Sequence, residues 1–439
     1  MNGPEIADRV LALAAKTGAQ ASVLVRESET GHVRFAASEI TTSGEVTATD
    51  LRLTLAFGQR HASAEIDQVG EAALAALVTR TAELAKASPE DPEHLPLLPP
   101  QRYVQNARAW DGPTAALPAA KRAAWARAAI ERADADSLVC AGYVESRARR
   151  STLATSTGLR AEHRGTWASM TTTMRTADGK GSGWAGAEET RAEDVDAGAL
   201  AAAAADRAKR SRAPTKLDPG RYTVVLEPAA VANLLEFLIE ALDARAADQG
   251  RSFFTGRHPG DAIFDARVTL RSDPIDPQTP GCPWDPDGVP LAPTTWIENG
   301  RLKQLYYTRF WAKAQGRAPT GGHGSYMLAS AEPTAPSPAA VIAGVKRGLL
   351  VTRFWYTRWL DPRQVLVTGL TRDGVFLIED GVVGRAVNNF RFNDSPVKML
   401  ARLVTATKQT WRVPSDGDAM RVPIVCCDDF EMASTSEAI

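Results

Sequence analysis

The feature that most limits how this chain can fold is a proline-rich stretch from Pro89 to Pro100, where the periodic patterns on both sides stop. Proline fixes φ and removes a backbone donor, so such a run reads as an extended connection rather than as helix or sheet. It sets an N-terminal α/β domain, residues 1–88, apart from the rest of the chain, with the linker itself placed at 89–112. A second break near Pro214 divides a central α/β segment, 113–214, which extends the first lobe, from a β-rich C-terminal domain, 215–439. At 439 residues the chain exceeds what one core supports, so two lobes are expected.

Between these breaks the hydrophobic spacing changes. Ile6, Val10, Leu11 and Leu13 recur at helical intervals ahead of Gly18, and further helices are read at about 69–87, 114–133, 199–208 and 231–246. Strands are read at Val23–Val25, Val33–Phe35, 46–55, 137–145, 164–176 and Tyr222–Leu226. Asn299-Gly300 and Asp380-Gly381, each after an apolar run, mark hairpins with type I′ turns. The resulting fold class is α+β: an N-terminal α/β lobe of helices and a mixed sheet, and a β-rich C-terminal lobe. The proline-rich loop Pro274–Pro293 is too long for a plain connection and is a candidate cover for a cleft or interface.

Composition removes several function classes. Fifty-one basic residues against 52 acidic ones leave a charge of −1 with no like-charge block, so a nucleic-acid partner is not expected. Four scattered cysteines do not make a disulfide framework, and Glu5, Asp8 and Arg9 spoil a signal-peptide start, so a reducing, cytoplasmic setting is expected. No apolar run is long enough to span a bilayer, and no membrane association is expected.

Catalytic patterns are sparse. The six histidines are scattered and no His-Glu-x-x-His occurs, so no zinc-ligand spacing is read. Cys426-Cys427 point to opposite sides if they lie in a strand, which favours packing over metal or redox work. Gly181–Gly186 matches a dinucleotide glycine pattern, but no helix opens at the glycines. Gly322-His323-Gly324-Ser325 lacks nucleophile-elbow spacing and reads as a glycine loop, and the aspartates between Asp273 and Asp287 are interrupted by prolines in a way that an EF-hand loop forbids. Arg353-Phe354-Trp355-Tyr356-Thr357-Arg358-Trp359 is read as a strand with one packed face and one face for binding a peptide or a subunit.

Longer motifs carry a resemblance. Arg347–Tyr356, Val367–Gly374, Phe376–Glu379, Val387–Asn393 and Asp285–Pro290 together resemble the C-terminal region of the TldD/PmbA family over most of 217–439, and the N-terminal organisation agrees. The resemblance implies a heterodimer in which a TldD-type subunit holds zinc through His-Glu-x-x-x-His. At the matching helix this chain reads Leu235, Glu236 and Glu240, so one glutamate persists where the two histidines are missing, and the late Cys-Gly-Lys ligand finds no counterpart near Cys426. The implied protein is the TldE/PmbA-like subunit: no cofactor of its own, zinc in a TldD-like partner, and an unstructured or modified peptide as substrate. Two alternatives stay open: a peptide-binding homodimer, and a hydrolase with a metal-independent site at Glu236, Glu240 and His323. Candidate peptide or partner contacts are Gly322, His323, Arg353, Phe354 and Tyr356.

Overall fold

The computed structural model describes residues 1–321, 324–413 and 420–437. Helix α1 (Gly3–Ala15) opens on a reciprocal cap: the Glu5 amide donates to Asn2 Oδ1 at 3.0 Å and the Asn2 amide to Glu5 Oε2 at 2.9 Å. Its buried stripe of Ile6, Val10 and Ala14 packs with Leu74, Leu77 and Val78 of α2 (Glu71–Ala87) onto strand residues Ala21, Val23, Val25, Leu51 and Leu53. Those strands belong to a six-stranded sheet of β1 (Gln20–Ala36), β2 (Glu39–Phe57), β3 (Arg60–Ile66), β4 (Leu138–Thr155), β5 (Arg160–Thr176) and β6 (Ser182–Glu189), in the order β3-β2-β1-β4-β5-β6.

The central segment therefore completes the N-terminal sheet. Short α3 (Gly112–Ala115), α4 (Ala119–Ala135) and α5 (Ala197–Arg210) join it, with α4 and α5 covering the half of the sheet that α1 and α2 leave bare. Every pairing in this sheet is antiparallel, where a mixed sheet is expected from sequence, because its strands meet through hairpins and one β1–β4 pairing. Val23–Val25 and Val33–Phe35 are two ends of one strand: the polar stretch between them keeps its ladder with β4 from Ser22 to Phe35. Backbone pairing does not depend on side-chain polarity when one face is solvated. The glycines at 181–186 lie at the start of β6, and a Cβ on Gly183 would collide with the Ala204 carbonyl, so the glycine lets α5 approach the strand.

The linker is tied to the C-terminal lobe. Tyr103 Oη donates to the Gly288 carbonyl at 2.7 Å, Asn106 Nδ2 to the Pro274 carbonyl at 2.9 Å, and Arg245 makes two hydrogen bonds of 2.7 and 2.6 Å to Glu93.

The second sheet comprises, among the described residues, β7 (Gly220–Leu226), β8 (Val268–Ser272), β9 (Thr294–Glu298), β10 (Arg301–Leu302), β11 (Tyr326–Ser330), β12 (Arg347–Asp361), β13 (Leu366–Glu379), β14 (Val382–Ala386), β15 (Asn389–Asp394), β16 (Leu403–Val413) and β17 (Met420–Ser436). β7 pairs with both β12 and β17, so the run β7-β12-β13-β15-β17 closes on itself. Both expected hairpins are present: Asn299 and Gly300 have φ of 50° and 73°, and Asp380 and Gly381 have φ of 48° and 77°. The long helix expected over 231–246 is instead α6 (Pro228–Ala241) followed by a single turn, α7 (Ala244–Asp248). Asp243 breaks it by accepting from the Ala246 amide at 2.5 Å, which starts a new helix N-terminus. Cys426 and Cys427 are fully buried on opposite sides of β17, in separate apolar clusters, and burial pushes the Cys426 thiol up to about 12.

Candidate functional site

Helix α6 and the outer half of β12 bring most of the sequence candidates together. Pro228 at the first turn and an apolar run from Ala230 to Leu238 drive α6 into the core, where Leu235 is completely buried. Glu236 and Glu240 stand one turn apart on the exposed face. Glu240 accepts from Trp359 Nε1 at 3.1 Å, and Phe237 meets the Trp359 ring edge-on at 4.9 Å.

β12 runs parallel to β7 only from Leu349 to Val351 and is then released from it. The Asn233 amide, turned so that its nitrogen donates, bonds the Phe354 carbonyl at 3.1 Å and the Ala229 carbonyl at 2.9 Å, so a helix side chain takes over one site on the freed edge. Register shifts between 351 and 353, 355 and 358, and 359 and 361 re-aim the strand. Beyond them Trp355, Tyr356 and Leu360 are 41, 62 and 50% exposed, and Tyr356 has φ +59°. Arg358 lies 3.9 Å from the Tyr356 ring centroid and Arg372 4.1 Å from that of Trp355. Tyr356 is thus available to a partner or ligand.

The other strand candidates are placed differently. Phe354 is buried, 4.2 Å from the Phe392 ring and 5.7 Å from that of Phe430, so its ring serves the core and makes no surface contact. The ring sits on the core side of β12 between the register shifts at 351–353 and 355–358. Arg353 turns toward the other lobe, donating to Asp373 through Nε at 2.8 Å and through Nη2, with its guanidinium 4.8 Å from the Trp184 ring centroid. Asp373 is entirely buried and also accepts from Ser182 Oγ at 2.5 Å. Arg353 is therefore a clasp between lobes. Gly322 and His323 lie outside the described residues.

Other contacts complete this junction. Arg207 of α5 bonds both oxygens of Glu227, at 2.8 and 2.7 Å, where burial raises the carboxyl despite the cation. Beside the Asp373 clasp lies a cavity of about 620 Å³ lined by Ser182, Arg212, Gly374, Val387 and Asn388 among others. Sequence reasoning did not single out Ser182, Trp184, Asn233 or Glu227; the Asp373-Gly374 dipeptide inside a strand pattern was the available signal for the clasp.

Zinc is the metal that the resemblance noted in the sequence implies, and the donor set on α6 does not fit it. Leu235 faces the core, Glu240 is engaged with Trp359, and among the described residues no three His, Cys, Asp or Glu side chains converge as ligands.

The chain belongs to the PmbA/TldD metallopeptidase family. Residues 112–212 match the PmbA/TldA metallopeptidase central domain and 219–434 the C-terminal domain. Among solved structures it is similar to TldE from Thermococcus kodakarensis, with 18% identity, 98% of this chain and 100% of that chain covered, and a TM-score of 0.88. It is also similar to a Thermotoga maritima protein described as a candidate modulator of DNA gyrase, with 17% identity over 98% and 100% of the two chains and a TM-score of 0.83. A Bacteroides thetaiotaomicron protein of the same description shares 20% identity over 99% of each chain, also with a TM-score of 0.83. These likenesses establish the fold. A search of curated proteins found no significant match.

Proposed function

We propose that this chain is the metal-free, TldE-like subunit of a heterodimeric zinc metallopeptidase that cleaves unstructured or modified peptides in the cytoplasm. The observation that carries this reading is the α6 face, which offers two glutamates and no neutral imidazole where the family resemblance implies the zinc-binding motif. Two carboxylates do not hold Zn²⁺ firmly against water, so the metal-activated water and its base come from a TldD-like partner. The exposed edge beyond Val351, with Trp355, Tyr356 and Leu360, supplies apolar area and free strand polarity of the kind that receives a partner or an extended peptide.

The test is cleavage of an unstructured peptide by this chain alone, by a TldD-like protein alone, and by the two mixed. Activity that requires the mixture and disappears with a chelator is the expected result. Chelator-resistant cleavage by this chain alone overturns the reading and directs attention to Glu236 and Glu240.

A further inference from the structure

The helix-free face of the N-terminal sheet has a charge pattern that the peptidase reading leaves unused. Odd-numbered β1 residues face the helices, as Val23, Val25, Val33 and Phe35 show. On the opposite face Leu24, Leu153 and Ala161 meet Trp284 of the C-terminal lobe. Past that contact, register sets Arg26 across from Ser151, Ser28 across from Arg149, and Arg147 across from both Thr30 and Trp167. Arg26, Arg147, Arg149 and Trp167 therefore share one surface.

Three observations define what this surface fits. The Arg147 and Arg149 guanidinium carbons lie 5.1 and 5.2 Å from the Trp167 ring centroid, so flat cations border an aromatic platform. Arg147 is paired with Glu145 at 2.8 Å, whereas neither Arg149 nor Arg26 has an ion-pair partner among the described residues. Arg149 is also partly buried, and that burial together with the charges of Arg147 and Arg26 disfavours its cation more than the nearby carboxylates of Asp50 and Glu145 favour it. A partly desolvated guanidinium among other cations gains from an incoming carboxylate.

We infer that this face binds an extended acidic peptide, with a carboxylate received by Arg149 and flanking acidic side chains received by Arg26 and Arg147. Residues two apart on a strand stand about 6.6 Å apart on one face, which matches Arg147 and Arg149 to alternate side chains of an extended ligand. Glu145, at the Arg147 end of the surface, and Asp50, cross-strand from Arg26, border it with negative charge and disfavour a uniformly charged polyanion such as nucleic acid. Binding at this face does not depend on whether the peptide is later cut.

The test uses the full chain without a partner and follows fluorescence anisotropy of a short labelled peptide with glutamate at alternate positions. Binding that weakens about tenfold or more for Arg149→Gln, and equally for the peptide with glutamine in place of glutamate, is expected. Arg26→Glu, at an exposed position, is expected to weaken it as well. Equal affinity for the glutamine peptide overturns the inference, as does unchanged binding by a folded Arg26→Glu protein. So does tighter binding of a single-stranded oligonucleotide of the same length.

Discussion

The two sheets of this protein are built by different rules. In the N-terminal sheet most neighbours in space are neighbours in sequence, and β4 holds β5 in one register from Leu138 to Ala154. In the C-terminal sheet β7 pairs with β12 and β17, far along the chain, and register shifts crowd into β12, β16 and β17. The regular sheet is a platform. The irregular one aims side chains, and the exposed aromatics and the Arg353 clasp sit where its ladders are interrupted. Irregularity costs pairing energy and is retained where a strand must present something.

That contrast can be broken by substitution. The largest effect is expected at the clasp: Arg353→Ala strips the main cation from fully buried Asp373, with Arg372 at 3.9 Å compensating only in part, and should cost about 3–5 kcal/mol in urea unfolding. A loss below about 1 kcal/mol would mean that the lobes do not depend on this ion pair. Phe354→Ala should cost about 3–4 kcal/mol by the same measurement, through the cavity left between Phe392 and Phe430.

On the regular side, the sharpest test is pH. Burial lowers His163 from 6.5 to about 4, so the folded protein prefers the neutral ring. The contribution is complete above 6.5, the unfolded value, and is lost as pH falls toward about 4. It amounts to at most about 3 kcal/mol. The melting temperature should drop across that window, and His163→Gln should flatten the drop; an unchanged slope would mean that the ring is solvated. Smallest in stability is Tyr356→Ala, expected within about 0.5 kcal/mol of the parent. It should nonetheless weaken association with a TldD-like protein in a pull-down or titration, and unchanged association would remove the exposed edge from the interface.

The same contrast explains what the sequence revealed. Helices with strong apolar stripes, the Asn-Gly and Asp-Gly hairpins and the degenerate α6 motif were legible because each is encoded within a few residues. The single long β1 was not, since Arg26 to His32 carry no apolar alternation and are held by β2 and β4. Alternation along β12 foretold a two-faced strand, but which of Phe354 and Tyr356 points outward depends on bulges set by distant partners. The Arg353 clasp was hidden for the same reason: Ser182 and Asp373 are 191 positions apart in the chain. The break after α6 was readable in principle, because Asp243 followed by small residues is a helix-start signal.

The closure of strands around β17 has a consequence for how the molecule is made. β17 is the last strand in chain order, yet β7, β11, β15 and β16 all hydrogen-bond to it. During synthesis every strand of the N-terminal sheet has its partners once β6 has emerged, whereas the second sheet keeps unpaired edges on β7 and β15 until β17 arrives. The nascent C-terminal lobe thus spends its production time as a template for stray strand pairing, which makes it the part of the chain most dependent on chaperones and most prone to inclusion bodies when expression outruns folding.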